Sequence, residues 1–285
     1  MNKILVIPNT LKDCDLSVTS RVVDKLLEFN MVPMLSSEFS STIGNRVKYF
    51  DDYPDDAELV LVIGGDGSVI EASKVAILFD IPLLGINLGN LGYLSEVEID
   101  DLDSLRNLKN KNEYVVEEKI LLETEIFKNG RVTKAERLAV NDIIVSHSEY
   151  LGIADICLEN SKREAVKYRA DAVILATPAG STAYALSSGG PIISHNLDSI
   201  TATPVSPHSF FNRSIVYSAK EELKVTNMGN TPLKVSIDGR LFDSLYNGDY
   251  CVIKKSEKRF KMLTFSENNM FTTLFNKLKI LNNIE

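Results

Sequence analysis

The sequence is short of what several protein classes require. Its 285 residues include three cysteines, Cys14, Cys157 and Cys251, an odd number placed far apart. No C-x-x-C pair or zinc spacing occurs, which excludes a disulfide scaffold or zinc module and predicts free thiols in a reducing cytoplasm. The three histidines, His147, His195 and His208, are scattered, with neither triad nor metal spacing. No apolar run approaches the roughly 20 uncharged residues that span a bilayer, so no membrane association is expected. The opening M-N-K-I-L-V-I-P-N-T turns polar too soon for a secretory signal and reads as a buried strand. Basic charge is also in deficit. Thirty-one Lys and Arg against 39 Asp and Glu leave a net charge of −8, which argues against bulk nucleic-acid binding. The local exception, K-K-S-E-K-R-F-K at residues 254–261, reads as a solvated turn between two strands. The acidic run D-D-Y-P-D-D-A-E, from Asp51, reads as an exposed loop. Two nucleotide motifs are missing as well. Without G-x-x-x-x-G-K-[ST] the chain is not a P-loop nucleotidase, and without G-x-G-x-x-G a standard Rossmann dinucleotide site is unsupported.

What is present fits a globular protein, with 44% apolar and 25% charged residues. The length is near the point where one core divides, so two domains are expected. Over the first hundred or so residues two periodicities alternate. K-I-L-V-I-P, M-V-P-M-L, E-L-V-L-V-I and P-L-L-G-I-N read as short buried strands. Between them, Val18, Val22, Leu26 and Phe29 recur at helical spacing, as do Val69, Ala72, Ala76 and Phe79. Continuous apolar strands separated by helices predict a parallel α/β sheet. A small helix, D-D-L-D-S-L-R-N-L, marks the junction near residue 110. Beyond it the chain is β-rich. Y-V-V-E-E-K-I-L-L-E-T-E-I-F, a K-N-G hairpin turn, A-V-N-D-I-I-V, L-K-V-S-I-D-G and D-Y-C-V-I-K-K are its clearest strand signals. Phe271, Leu274, Phe275 and Leu278 then predict a final amphipathic helix returning to the first domain. The expected division is an α/β domain at 1–110, joined by 262–285, and a β-rich domain at 111–261.

The stretch V-I-G-G-D-G-S-V-I, residues 62–70, sits where an apolar strand hands over to an amphipathic helix. Gly64, Gly65 and Gly67 let the backbone turn and let a ligand come close. Ser68 is a reasonable N-cap, and free N–H groups at a helix start favour an anion. Asp66 conflicts with a plain phosphate cradle. Two like unit charges ~4 Å apart repel by about 4 kcal/mol at an effective dielectric of 20. A helix terminus returns only roughly 0.3–2 kcal/mol. Asp66 therefore either bonds its own loop as an Asx-turn, or meets a metal or a hydroxyl that loses its proton during phosphoryl transfer.

A second constellation lies in R-A-D-A-V-I-L-A-T-P-A-G-S-T-A-Y-A-L-S-S-G-G-P-I, residues 169–192. Arg169 and Asp171, two apart, would share one face of a strand. They would either pair with each other or present a donor and an acceptor to a polar ligand. Gly180-Ser181-Thr182 looks like the start of a short helix carrying Tyr184 and Ser187, whose groups suit ribose, amide or base contacts. Asn141 and Asp142 interrupt an apolar run. They point to opposite faces of a regular strand, so both serve one ligand only at a bulge or strand end.

Together these segments resemble the NAD kinase family. G-G-D-G-S, G-I-N-L-G-N-L-G-Y-L, N-D, the T-P-A-G-S-T-A-Y-A-L-S-S-G-G-P block, T-P-V-S-P-H-S and I-D-G stand in that family's order, over nearly the whole chain. The resemblance implies transfer of a phosphoryl group from ATP to the 2′-hydroxyl of the adenosine ribose of NAD, giving NADP. It implies Asp66 as the base, with Gly64, Gly65, Gly67 and Ser68 facing phosphates. It also implies NAD contacts at Asp66, Gly67, Tyr93, Asn141, Asp142, Arg169, Asp171, Thr182, Ala183, Tyr184 and Ser187. A divalent cation, Mg2+, is expected with ATP, along with a cytoplasmic homo-oligomer and, in some members, polyphosphate as donor. Several positions depart from the family pattern: Asp142 for glutamate, Glu71 for arginine, and Lys119 and Arg240 for arginine and glutamine. Tyr93 replaces phenylalanine and His195 a frequent proline. A lipid kinase sharing the G-G-D-G loop, or a non-catalytic NAD(P) sensor, is the rival reading.

Overall fold

The computed structural model describes residues 1–89, 92, 94–148, 152–208 and 211–265. Tyr93 and the predicted terminal helix at Phe271–Leu278 lie outside these described residues. The chain forms two compact units. One is Met1–Glu118 with the segment that begins at Phe260, and the other is Lys119–Arg259.

In the first unit the elements follow in the order β1 (Lys3–Pro8), α1 (Ser17–Glu28), β2 (Val32–Ser36), α2 (Ser40–Ile43), β3 (Lys48–Phe50), β4 (Leu59–Gly64), α3 (Asp66–Leu78) and β5 (Leu83–Asn87). The strands lie in the order β3-β2-β1-β4-β5, all parallel, with β6 (Val97–Glu98) beside β5. All six residues of β4 and all five of β5 are buried, as expected for strands covered on both faces. Val22, Val23 and Leu26 of α1 share a core with Ile4 and Leu59 of the sheet. A 3-10 helix at Leu102–Lys109 buries Leu102, Leu105 and Leu108 in the same core. The chain winds outward from β1 to β2 and β3, then returns to place β4 on the other side of β1. The loops after β1 and β4 thus meet at the sheet's topological switch point, where open α/β sheets bind ligands.

The second unit is a sandwich. Its strands are β7 (Val115–Lys128), β8 (Arg131–Ala139), β9 (Asp142–His147), β10 (Ala154–Glu159), β11 (Ala165–Ala170), β12 (Ala172–Ala176), β13 (Ser199–Val205), β14 (Ile215–Ser218), β15 (Leu223–Asn227), β16 (Leu233–Ile237), β17 (Arg240–Leu245) and β18 (Tyr250–Thr264). One antiparallel sheet has the order β14-β13-β12-β9-β16-β17. The other runs β11-β10-β15-β18, with alternating burial along β10 and β15. Ile143, Val145, Val173 and Leu175 of the first sheet share a core with Ile156, Leu158, Val225 and Ile253 of the second. The β7–β8 turn places Asn129 and Gly130 at φ 51° and 72°, the pair of positive values that a two-residue hairpin turn requires.

Three expectations need correction. Helix α3 starts at Asp66, so extended Gly65 takes the N-cap position and Ser68 sits inside the first turn. R-A-D-A-V-I-L-A is not one strand. It divides at Asp171, with β11 paired to β10 in one sheet and β12 to β9 in the other. The basic run at 254–261 is not a turn but the middle of β18. Its charges are met by acids: Lys254 by Glu123 at 3.3 Å, and Lys255 and Arg259 by Asp198 at 2.7 and 3.5 Å. The hydrogen bond from Lys255 leads the causes that hold the Asp198 carboxyl below its usual range.

The last residues of β18 belong with the first unit, where Met262 aligns with Leu83 and Leu263 is fully buried in the core. Leu263→Ala should therefore cost about 2–5 kcal/mol, read as a lowered urea midpoint. A loss below ~0.5 kcal/mol, the size of a surface change, would show that this segment does not close the core.

Candidate active site

In the first unit, the loops after β1 and β4 line a cleft of about 780 Å³. Its wall includes Asn9, Leu11 and Lys12 from one loop and Gly65, Asp66, Gly67 and Ser68 from the other. Asn9 ties the two together. Its Nδ2 donates to Ser68 Oγ at 2.7 Å, and its Oδ1 accepts from the N–H of Leu11 and Lys12 at 3.0 and 3.2 Å. The hydroxyl of Ser68 is thus an acceptor at the loop junction rather than a cap. In the first turn of α3 the Ser68 N–H donates to the Gly65 carbonyl at 2.8 Å, which leaves the N–H groups of Asp66 and Gly67 as the ones without an acceptor inside the helix. Lys12 adds positive charge from the opposite loop, its Nζ lying 3.4 Å from the carbonyl oxygen of Leu88.

Asp66 is half-buried and does not fold back as an Asx-turn alone. The N–H of Leu94 donates to its Oδ1 at 3.0 Å, across a gap of 28 residues. Two glycines make that approach feasible. A side chain at Gly92 would overlap the Asp66 carboxylate. A Cβ at Gly85 would stand 2.9 Å from the carbonyl oxygen of Leu94 and 3.1 Å from Ser95 Cα. Gly92 and Leu94 therefore bear directly on where the carboxylate beside the cleft can point.

In the second unit, Asn141, Asp142 and the Gly180–Thr182 turn gather around the start of β9, whereas Arg169 and Asp171 lie toward its far end, where the His147 N–H donates to the Asp171 carbonyl. Asn141 ends the turn before the strand and Asp142 opens it, the strand-end geometry that polar residues of opposite facing need. The Thr177 N–H donates to the Asn141 carbonyl at 2.9 Å, and its Oγ1 to that of Val140 at 2.7 Å. Asp238, at the turn of the I-D-G hairpin, accepts the N–H groups of Val140, Asn141 and Asp142 at 2.8, 2.8 and 3.1 Å. After β12, the 3-10 turn Gly180–Thr182 leads into α4 (Tyr184–Ser187). Thr182 is buried, with its hydroxyl donating to the Ala179 carbonyl at 3.1 Å, whereas Tyr184 and Ser187 are exposed one turn apart. Ala183, just before Tyr184, is half-buried. Arg169 is not paired with Asp171. It meets Asp155 at 3.1 Å across the β10–β11 ladder, an exposed pair of about 0–1 kcal/mol. Asp171 instead uses its backbone, donating to Val205 and accepting from His147. Two of the departures from the family pattern touch each other: Lys119 Nζ lies 3.2 Å from His195 Nδ1.

Asp142 is nearly inaccessible, and its carboxyl is pushed up to about 7, first by burial and then by the negative charge of Asp238. The sign of the consequence follows from linkage. A carboxyl near 3.8 unfolded and about 7 folded holds its proton longer in the native state. Stability is thus lost as pH rises from about 4 to 7, and the penalty is complete above 7. Asp142→Asn removes it, so the variant should gain on the order of 2–4 kcal/mol at pH 8 and much less at pH 4.5. Equal gains at the two pH values, in urea unfolding, would show that Asp142 carries no such penalty.

Sequence reasoning missed Asn9, Leu11, Lys12 and Tyr53, all of which line the cleft. The signal available was P-N-T-L-K directly after the first strand.

Comparison with known families settles the class. A model of the ATP-NAD kinase N-terminal domain matches residues 5–114, and one of the ATP-NAD kinase C-terminal domain matches 140–265. The chain belongs to the ATP-NAD kinase family. The NAD kinase of Thermoanaerobacter sp. (strain X514) is 34% identical over 281 residues, covering 98% of this chain and 99% of that one. The NAD kinase of Acetivibrio thermocellus is 30% identical, covering 98% and 97%. Among solved structures, yeast NADH kinase complexed with NADH superposes with a TM-score of 0.84 at 20% identity, over 100% of this chain and 89% of that one. An NAD kinase from Archaeoglobus fulgidus in complex with ATP gives 0.72 at 23%, over 97% and 98%. These two share the ATP-NAD kinase fold. Among the described residues no helix is long and apolar enough to cross a membrane.

Proposed function

We propose that this protein transfers the terminal phosphoryl group of ATP to the 2′-hydroxyl of the adenosine ribose of NAD, releasing ADP and NADP. Family membership over both units supports the reaction. The observation that carries the mechanism is the bond from Leu94 N–H to Asp66 Oδ1, which aims a carboxylate beside the phosphate-binding loop. There Asp66 accepts the ribose hydroxyl proton as the new O–P bond forms and the bond to the β-phosphate breaks. Gly65, Gly67 and Ser68 receive the phosphates, and Lys12 offsets their charge. Little covalent chemistry is asked of the protein. Positioning and electrostatics supply most of the rate in phosphoryl transfer.

In the second unit, Asn141, Asp142, Arg169, Asp171, Thr182, Ala183, Tyr184 and Ser187 are proposed to bind NAD, and Tyr93, in the first unit's sequence, is proposed as a further contact on the family resemblance alone. The exposed Tyr184 ring and Ser187 hydroxyl on one side of α4 support that role. Among the described residues no three His, Cys, Asp or Glu side chains cluster as a metal site. The fitting arrangement is a divalent cation, Mg2+, brought by the triphosphate. When bound, it would supply positive charge that offsets the phosphates. A cytoplasmic homo-oligomer completes the proposal, on the strength of the family resemblance.

The test is the purified protein with NAD, ATP and magnesium, coupled to an NADP-specific dehydrogenase. Asp66→Asn keeps an oxygen for the Leu94 N–H but loses the base, so kcat should fall about 10²–10⁴-fold with NAD binding retained. Normal turnover would remove Asp66 from the role. Gly92→Ala places a methyl against the Asp66 carboxylate, and should lower kcat at least about tenfold with little change in Tm. An unaltered kcat in that variant would show that the carboxylate need not keep its present direction.

A further inference from the structure

We propose that Ser95 is a positioning residue for Asp66, its hydroxyl donating to the carboxylate directly or through one water. This rests on the kinase reading and adds a group to it. Ser95 is half-buried, but its Oγ is shut off from solvent and has no hydrogen-bond partner among the described residues. A buried hydroxyl without a partner costs stability, so one kept in a fold needs a physical reason. Gly92 shows where the reason lies. A Cβ built there would stand 2.3 Å from Asp66 Oδ1 and 2.7 Å from Ser95 Oγ, so the two oxygens crowd one glycine and are no more than about 5 Å apart. One bridging water or a change of χ1 rotamer closes such a gap.

The backbone pins Ser95 at this place from both sides. Its Cα and the preceding carbonyl press on Gly85, and the Glu96 N–H that follows donates to the Gly85 carbonyl at 3.0 Å. The side chain can turn while the backbone stays put. Its neighbour already serves Asp66, since the Leu94 N–H donates to Oδ1 at 3.0 Å. A carboxylate oxygen can accept more than one hydrogen bond, so an amide and a hydroxyl are not rivals for it. They act in the same direction. A donor aimed at a carboxylate favours its ionised form, and the base must be ionised before it can take a proton. Ser95 keeps its own proton throughout. Asp66 alone receives the proton of the ribose hydroxyl as the new O–P bond forms.

The experiment compares the wild type, Ser95→Ala and Ser95→Thr as full chains, by two readouts. One is the titration of the Asp66 carboxyl carbon by NMR, with Asp66→Asn assigning the signal. The other is kcat with NAD, ATP and magnesium across pH. Ser95→Ala removes a donor from the carboxylate, so that titration and the acid limb of kcat should both move about one pH unit higher. Above the limb kcat should fall about tenfold, with KM for both substrates little changed. Ser95→Thr keeps the hydroxyl and should hold both curves at the wild-type position. In an Asp66→Asn background Ser95→Ala should lower kcat no further. A serine with only a structural role predicts otherwise: losing an unpartnered hydroxyl would leave both curves in place and raise Tm slightly. An unmoved Asp66 titration in Ser95→Ala would therefore overturn the proposal. So would an equal fall of kcat in both backgrounds, or a Ser95→Thr that moves the curves as far as Ser95→Ala. Absence of NADP from the wild type would instead sink the kinase reading, and the carbon titration alone would still decide whether Ser95 holds Asp66.

Discussion

The site depends on a carboxylate being held where its own surroundings oppose it. Asp66 opens a helix whose first N–H groups invite an anion, and like charge would repel the phosphates those groups attract. One backbone bond bears on the conflict: the Leu94 amide holds Asp66 Oδ1 at 3.0 Å, and under the proposed function the carboxylate meets a hydroxyl while the N–H groups meet phosphate. That bond in turn needs the Leu94–Ser95 peptide to lie almost on top of Gly85 and needs Gly92 to lack a side chain. Two glycines in a strand and a loop thereby set the direction of an acid elsewhere in the sequence.

The second unit shows the same economy with one half-buried acid and one buried acid. Asp238 accepts three consecutive N–H groups and so fixes the turn that presents Asn141 and opens β9. Asp142, one carbon shorter than the family's glutamate, is left beside that charge with its proton retained toward neutral pH. A carboxyl that keeps its proton toward neutrality can donate as well as accept a hydrogen bond, which an ionised carboxylate cannot.

Local signals were legible in the sequence. Continuous apolar runs gave β1, β4 and β5, and helical stripes gave α1 and α3, because period and burial are properties of neighbouring residues. The K-N-G turn was legible for the same reason, since only the two residues involved must adopt positive φ. What depends on distant partners was not. Asn9 and Lys12 join the site only because β1 and β4 lie side by side, an order that no periodicity encodes. The basic run of β18 reads as a turn until Asp198 and Glu123 are known to face it. The strand break at Asp171 follows from two sheets competing for one segment, each with its own ladder.

The long strand β18 begins in one unit and ends in the other. The first unit thus borrows its closing residues from beyond the second: Leu263 fills its core, Lys261 pairs with Asp80 at 2.7 Å, and the Phe265 N–H reaches Glu96 at 3.0 Å. Cutting the gene at the domain border would leave the leading fragment without its last piece. The first unit is therefore tied to synthesis of the segment that begins at Phe260, and a ribosome must pass all of the second unit before the first can complete its interior.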